Sequence, residues 1–455
     1  MTEVVLGIDV GTSYVKATAR RQDGKVIAFC RMPSPRAAIN RDDELKDAIG
    51  WWSCIRSIVH TLFKDDGIKQ LRVASICVSA IAPTLTLFDV SDSSKAYALL
   101  YSSLAGLDDD SLSQFDLEVT KRRMEIFREV AAREHLINPC VSDLVGYLNW
   151  RLTGSLTINS ISLAESGLTP SQATQEVLAI ISRFAPHVVA PSEYVGLTTQ
   201  SASIELGIAP GIPVCGGCPD TLGSVMGSGV RKSSESMLYL GTFGSLLRLD
   251  RDVEDLLNEV NVLAPPFQWL LSVPDLGPTI EKMSRDFVGP SDAIHCLSGL
   301  DNTAVEASPG AGGTCFLVPR WKNGMIQVGA FELMADRAGV FGDGSRRSRA
   351  ILEGIAYAVL AIGGYGGGPL FASGGGTRSR KWLDIISEVL GCHIYVQDMA
   401  WESSGTADIA ARLVWPKEDI LRPVYSSFAN NNTDRAIIDD NLQRIMEQYR
   451  EQEWL

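Results

Sequence analysis

The feature that most restricts the fold is a glycine turn between apolar strands that occurs twice, far apart in the chain. "VLGIDVGTSYVKAT" near the N-terminus and "LYLGTFGSLLRL" at mid-chain each read as strand, Gly/Thr/Ser turn, strand. Recurrence of one hairpin at such a distance predicts two related halves. A third glycine turn, in "LFASGGGTRSRKWLDIISEVLG", differs because it opens into a helix.

The surrounding sequence is mixed α/β. A second turn at Gln22-Asp23-Gly24 continues the first hairpin into "KVIAFC", making a three-strand meander. Leu45, Ile49, Trp52, Ile55, Val59 and Leu62 recur every three or four residues and predict an amphipathic helix. "VASICVSAIAP" and "LTLFDV" read as further strands, and "DLVGYLNWRLTG" as a helix capped by Gly154. The "KRR" run within the helical stretch 120–136 reads as a solvated face. Residues 434–454 carry Ile437, Ile438, Leu442, Ile445, Met446 and Tyr449 in helical spacing.

With 455 residues the chain is too long for one core, so two or three domains are expected. A formal net charge of −13 argues against nucleic acid or anionic lipid as the main partner. The opening "MTEVVLGIDVG" has no basic stretch leading into an apolar segment, and "GIAYAVLAIGGYGGGPLF" is interrupted by glycine well short of the roughly 20 residues a bilayer span needs. A soluble, cytoplasmic protein with reduced cysteines is expected.

"PVCGGCPDTLGSVMGSG" holds two candidates, the Cys215/Cys218 pair and the lone acid Asp220. With no second Cys pair downstream, a zinc site is not supported. Asp220 follows Pro219, which suits the first residue of a helix, so the acid falls in a first helical turn where the dipole favours its ionised form. By itself this reads more readily as a helix-capping acid than as a catalytic one.

Glycine turns carrying hydroxyls suit phosphate, since backbone N–H and Thr/Ser O–H groups converge and no Cβ blocks approach. None of the three fits a P-loop or a dinucleotide fingerprint. Taken in order, however, Asp-x-Gly-Thr in a first hairpin, Gly-Thr-x-Gly in a second and Gly-Gly-Gly before a helix resemble the phosphate and adenosine turns of the actin/Hsp70/hexokinase ATPases.

Within that superfamily the chain resembles the FGGY carbohydrate kinases, the family of xylulokinase and glycerol kinase. The matching stretches are "GIDVGTSYVKA", "YLNWRLTGSLTINSISLAESG", "VGLTTQSASIELGIAPGIPVCGGCPDTLGSVMGSG", "LYLGTFGS", "SRAILEGIAYAV", "ASGGGTRSRKWLDIISEVLG" and "ESSGTADIAARL", collinear over nearly the whole chain. The resemblance implies two ribonuclease H-like α/β domains, residues 1–229 and 230–455, with nucleotide and sugar meeting in an interdomain cleft that closes over them. It also implies ATP and Mg²⁺ as cofactors, a small sugar or polyol as substrate, a pentulose favoured, and a monomer or homodimer.

Residue by residue, it makes Asp220 the general base, since Gly227-Ser228-Gly229 stands at the family's offset after it. Asp9 and Asp220 are expected near Mg²⁺. Gly11, Thr12 and Ser13 would cradle the γ-phosphate, and Lys16 either adds charge there or is an exposed strand lysine. Gly241, Thr242 and Gly244 match the second phosphate turn. Gly375, Gly376 and Ser379 match the adenosine site.

Sugar recognition departs from the family. Where relatives carry an aromatic-x-Asp-x-Arg element, this chain has "LLYSSLAGLDDDS"; Tyr101 keeps the aromatic role, but no Asp and Arg follow at the required offsets. "VSAIAPT" replaces the Gln-Met-His element of xylulokinases. Two readings therefore stand, an active sugar kinase and a non-catalytic nucleotide-binding homologue that senses or scaffolds.

Overall fold

The computed structural model describes residues 2–35, 45–64, 71–100, 117–168, 186–273, 275–288, 293–318, 321–322, 325–326, 331–363, 365–397, 402–415, 425–428 and 435–451. They fall into two compact units. The first gathers Met1–Arg231, Arg251–Pro266 and Met399–Pro423; the second gathers Lys232–Asp250, Phe267–Asp398 and Val424–Leu455.

In the first unit, Thr2–Val10, Tyr14–Arg20 and Val26–Pro33 form the antiparallel meander read from the sequence. Leu71–Ala80 lies parallel to Thr2–Val10, Pro213–Cys215 lies parallel beyond it, and Tyr194–Leu197 closes the edge antiparallel. Thr2–Val10 is buried from Val4 onward, as a central strand covered on both faces must be.

The helix Ala48–Leu62 starts after Asp47, whose carboxylate accepts the Ile49 N–H, and buries Trp51, Trp52, Ile55, Ile58, Val59 and Leu62. Each such side chain contributes about 1.5–3 kcal/mol of apolar burial. Leu45 precedes that cap and packs instead with Leu85, Leu87 and Phe127 in a separate cluster. Leu144–Thr153 is capped by Asp143 and ends at Gly154, whose φ of 80° is the left-handed conformation glycine tolerates best. The "KRR" run is only partly solvated. Lys121 and Arg122 face water, but Arg123 is fully buried and donates to the Leu100 carbonyl.

The second unit repeats the plan. Ser236–Leu240 and Gly244–Leu249 form the second hairpin, Phe267–Val273 extends it antiparallel, Leu370–Ser373 and Ile394–Gln397 follow parallel, and Tyr425–Phe428 ends the sheet antiparallel. Strand order and directions match those of the first unit. The helices Gly344–Ala361 and Arg380–Leu390 pack their apolar faces into this unit's core. The helix Arg435–Glu451 buries Ile438, Ile445 and Tyr449, whereas Ile437 is exposed. Among the described residues, no helix is long and apolar enough to cross a membrane.

Candidate active site

In the first unit the site gathers where the parallel strands end. Asp9 closes the first strand opposite Lys16 across the hairpin, and opposite Ser79 on the other side. Its carboxylate is buried, accepting from the Ser79 hydroxyl at 2.9 Å and from the Lys16 ammonium at 3.2 Å. Burial raises its pKa to about 6, with Glu402 adding to the rise and Lys16 opposing it. The turn itself is compact. The Gly11 N–H donates to the Tyr14 carbonyl, the Ser34 hydroxyl donates to the Gly11 carbonyl, and Thr12 and Ser13 stay exposed.

Cys218-Pro219 pairs with Ser79-Ala80, which carries the chain straight from the sheet into the helix Asp220–Ser228. Asp220 is its first residue, partly accessible, and accepts from the Thr221 N–H. Burial first, then the charges of Asp9 and Glu402, push its carboxyl up to about 8. The preceding Gly216-Gly217 turn is fixed from below: Asn149 donates to the Gly216 carbonyl at 2.9 Å and Asn159 to the Gly217 carbonyl at 2.6 Å. Gly217 has φ 81° and no room for a Cβ, which would lie 2.4 Å from the Val78 carbonyl oxygen. Cys215 and Cys218 are buried free thiols.

Nothing in the spacing of "ESSGTADIAARL" assigns it a role. The helix Glu402–Ala411 supplies one wall of this site. A Cβ on Gly405 would lie 2.1 Å from the Gly223 carbonyl oxygen, and one on Gly7 2.1 Å from the Ser403 carbonyl oxygen, so this helix meets strand and helix backbone to backbone. Ser403 bonds Thr18, Thr406 bonds Ser79, and Asp408 pairs with Arg20 and Arg231. Glu402, at its start, accepts from the Lys16 ammonium at 2.6 Å. Burial works against the charge on Lys16, but Asp9 and Glu402 together hold its pKa above the ordinary lysine value.

Asp9 and Glu402 thus bond a single ammonium whose charge also acts on Asp220. That excess of hard oxygen donors fits Mg²⁺, which prefers one or two carboxylates completed by phosphate oxygens and water. Among the described residues no three His, Cys, Asp or Glu side chains are arranged to hold a metal by themselves. Glu165 is a further acid, which no sequence motif marks. It is buried, its Oε2 has no hydrogen-bond partner, and burial followed by Asp220 and Asp143 raises its pKa well above the ordinary glutamate value.

In the second unit, Gly241, Thr242 and Gly244 form the turn of the hairpin, with Thr242 exposed. Gly375 and Gly376 sit on the helical turn Gly375–Arg378 directly after the strand Leu370–Ser373. Gly375 faces open space, while a Cβ on Gly376 would run into Trp382 and Leu240. Ser379 caps Arg380–Leu390, accepting from the Trp382 N–H at 2.9 Å. Tyr101 and the acids Asp108, Asp109 and Asp110 lie outside the described residues.

Two α/β units of one strand plan, each with a glycine hairpin at its leading strands, define the actin-like ATPase fold. Residues 4–104 match the model for "FGGY family of carbohydrate kinases, N-terminal domain". An Escherichia coli L-xylulose/3-keto-L-gulonate kinase is 23% identical over 91% of this chain and 88% of its own length. A xylulose kinase of Staphylococcus epidermidis is 21% identical over 90% and 88%. Among solved structures, xylulose kinase from Rhodospirillum rubrum superposes with a TM-score of 0.75 at 21% identity, covering 98% of each chain. Plasmodium falciparum glycerol kinase with ADP gives a TM-score of 0.73 at 14% identity, again over 98% of each. Residues 4–104 thus carry the N-terminal domain of the FGGY family, and over nearly its whole length the chain is similar to carbohydrate kinases.

Proposed function

We propose that this protein transfers the γ-phosphoryl group of Mg·ATP to a hydroxyl of a small sugar or polyol, a pentulose being the favoured acceptor, with Asp220 as general base. One observation carries the reading: Asp220 opens a helix at the strand ends, accessible yet charge-coupled to Asp9, Glu402 and Lys16. The xylulose kinases among its relatives support the choice of acceptor.

In this mechanism the acceptor oxygen forms a bond to the γ-phosphorus while the bond to the bridging oxygen breaks and ADP leaves. Asp220 takes up the hydroxyl proton, help worth about 10²–10⁴ in rate. Gly11, Thr12 and Ser13 contact the transferred group, and Lys16 moves its charge onto it. Gly241, Thr242 and Gly244 hold the adjoining phosphates, and Gly375, Gly376 and Ser379 border the adenosine. Asp9 and Asp220 would hold Mg²⁺, which when bound neutralises phosphate charge.

The test is ADP release from Mg·ATP across ketoses, aldoses and polyols, with Asp220→Asn run beside the wild type. Turnover with one sugar class, lost in the variant, supports the proposal. Silence across the panel with ATP still bound would favour a non-catalytic sensor or scaffold, the reading that the missing sugar-binding Asp and Arg suggest.

A further inference from the structure

Ser379 is placed at the adenosine site by the functional reading above, but its hydroxyl is already committed. It donates to Asp301, 2.7 Å from each carboxylate oxygen, and accepts from the Trp382 N–H at 2.9 Å. A serine hydroxyl has one proton and two lone pairs, so only a lone pair remains. Ser379 is also only 5% exposed.

Asp301 is different. It lies on the helix Ala293–Ala304, is partly exposed, and as a carboxylate has acceptor positions beyond the two that share the Ser379 proton. The Ser379–Asp301 pair therefore offers a ligand acceptors only. Gly375, four residues before Ser379, faces open space beside it in sequence, leaving the approach to this turn unobstructed.

We infer that Asp301 is a base-selecting residue: resting on the assignment of the adenosine site, it accepts the exocyclic amine of adenine and discriminates against 6-oxopurines. A 6-oxopurine replaces that amine with a carbonyl oxygen, setting acceptor against acceptor, and its ring N–H sits one position away. Sites built around a particular donor reject analogues that lack it because their own polar groups are left unpaired. Ser379 is the positioning residue that fixes the carboxylate plane.

The test uses the full-length protein and calorimetry with Mg·ATP and Mg·ITP, whose bases differ at the 6-substituent and in the proton on the adjacent ring nitrogen. Wild type is expected to bind ATP at least about tenfold more tightly than ITP. Asp301→Asn keeps an acceptor for the Ser379 proton and adds donors, so the preference should shrink to about threefold or less, mainly through tighter ITP binding. Equal affinity of wild type for ATP and ITP overturns the inference without needing any variant to fold. So does an unchanged preference in a folded Asp301→Asn, which is what a purely buttressing aspartate would give. Both outcomes leave the phosphoryl-transfer proposal standing, whereas failure to bind either nucleotide would defeat both.

Discussion

Lys16 Nζ lies 2.6 Å from Glu402 Oε2, joining residues 386 positions apart in the chain at the end of the first hairpin. Asp9, at 3.2 Å, takes a second of the ammonium's three protons. The lysine is held by opposite charge on two sides, a stored position from which it can turn to an arriving phosphate. Lys16→Met should lower kcat by about 10²-fold, the usual scale for losing one preorganised donor to developing charge. Glu402→Gln should cost less, about tenfold, because Asp9 still holds the ammonium. Steady-state kinetics at saturating sugar decide it; a Lys16→Met enzyme with wild-type kcat would rule out contact with the transferred group.

Asp220→Asn keeps the size of the side chain and removes the proton acceptor. We expect kcat to fall by about 10²–10⁴, with ATP affinity nearly unchanged. Thermal stability should hold or rise, because burial and the neighbouring carboxylates Asp9 and Glu402 disfavour the charge that the substitution removes. Single-turnover assays beside calorimetry separate these effects, and a variant that turns over normally would remove Asp220 from the chemistry.

Gly405→Ala tests the backbone contact of the Glu402 helix. Its Cβ would stand 2.1 Å from the Gly223 carbonyl oxygen and 2.4 Å from the Gly227 nitrogen, with no flexible side chain to yield. A loss of about 3 kcal/mol is expected, at the upper end for overpacking. Urea titration should show a lower midpoint with the slope preserved; an unmoved midpoint would mean the two helices separate readily.

Glu165 gives a pH signature. Its folded pKa is raised, by burial and then by Asp220 and Asp143, so the native state holds a proton that the unfolded chain releases above about 4.5. Its contribution is complete below that value and declines as pH rises toward the folded pKa, by about 1.4 kcal/mol per unit. Glu165→Gln removes this titration and should be relatively more stable toward alkaline pH. Melting curves of both proteins from pH 4 to 9 that run parallel would contradict the burial of an uncompensated acid.

Much of this was legible in local sequence because hairpins are local. Asp9 and Lys16 face one another through strand register alone, and Pro219 before Asp220 marks a helix start without any tertiary knowledge. Glu402 was not legible, because its partner is remote and no spacing rule reaches that far. The nearest hint was the run of small residues Ser403, Ser404, Gly405 and Thr406, which permits close backbone packing. Arg123 was misread for the opposite reason: charge in a helical run signals solvent, yet this guanidinium is buried and donates to a carbonyl remote in sequence. Asp301 had no motif at all, and only its bond to Ser379 draws attention to it.

The placement of the helix Glu402–Ala411 in the first unit also has a temporal meaning. On a ribosome, the strand that carries Asp9 and the helix that carries Asp220 emerge long before the segment that seals them, with five strands of the second sheet, up to Gln397, synthesised in between. Until then, Gly7 and Gly223 present bare backbone to water, and Arg20 and Arg231 await Asp408. Nascent first-unit chains should therefore stay susceptible to protease and to chaperone capture until this helix clears the exit tunnel. A fragment ending at the apparent boundary near residue 230 would be an incomplete fold rather than a separable module.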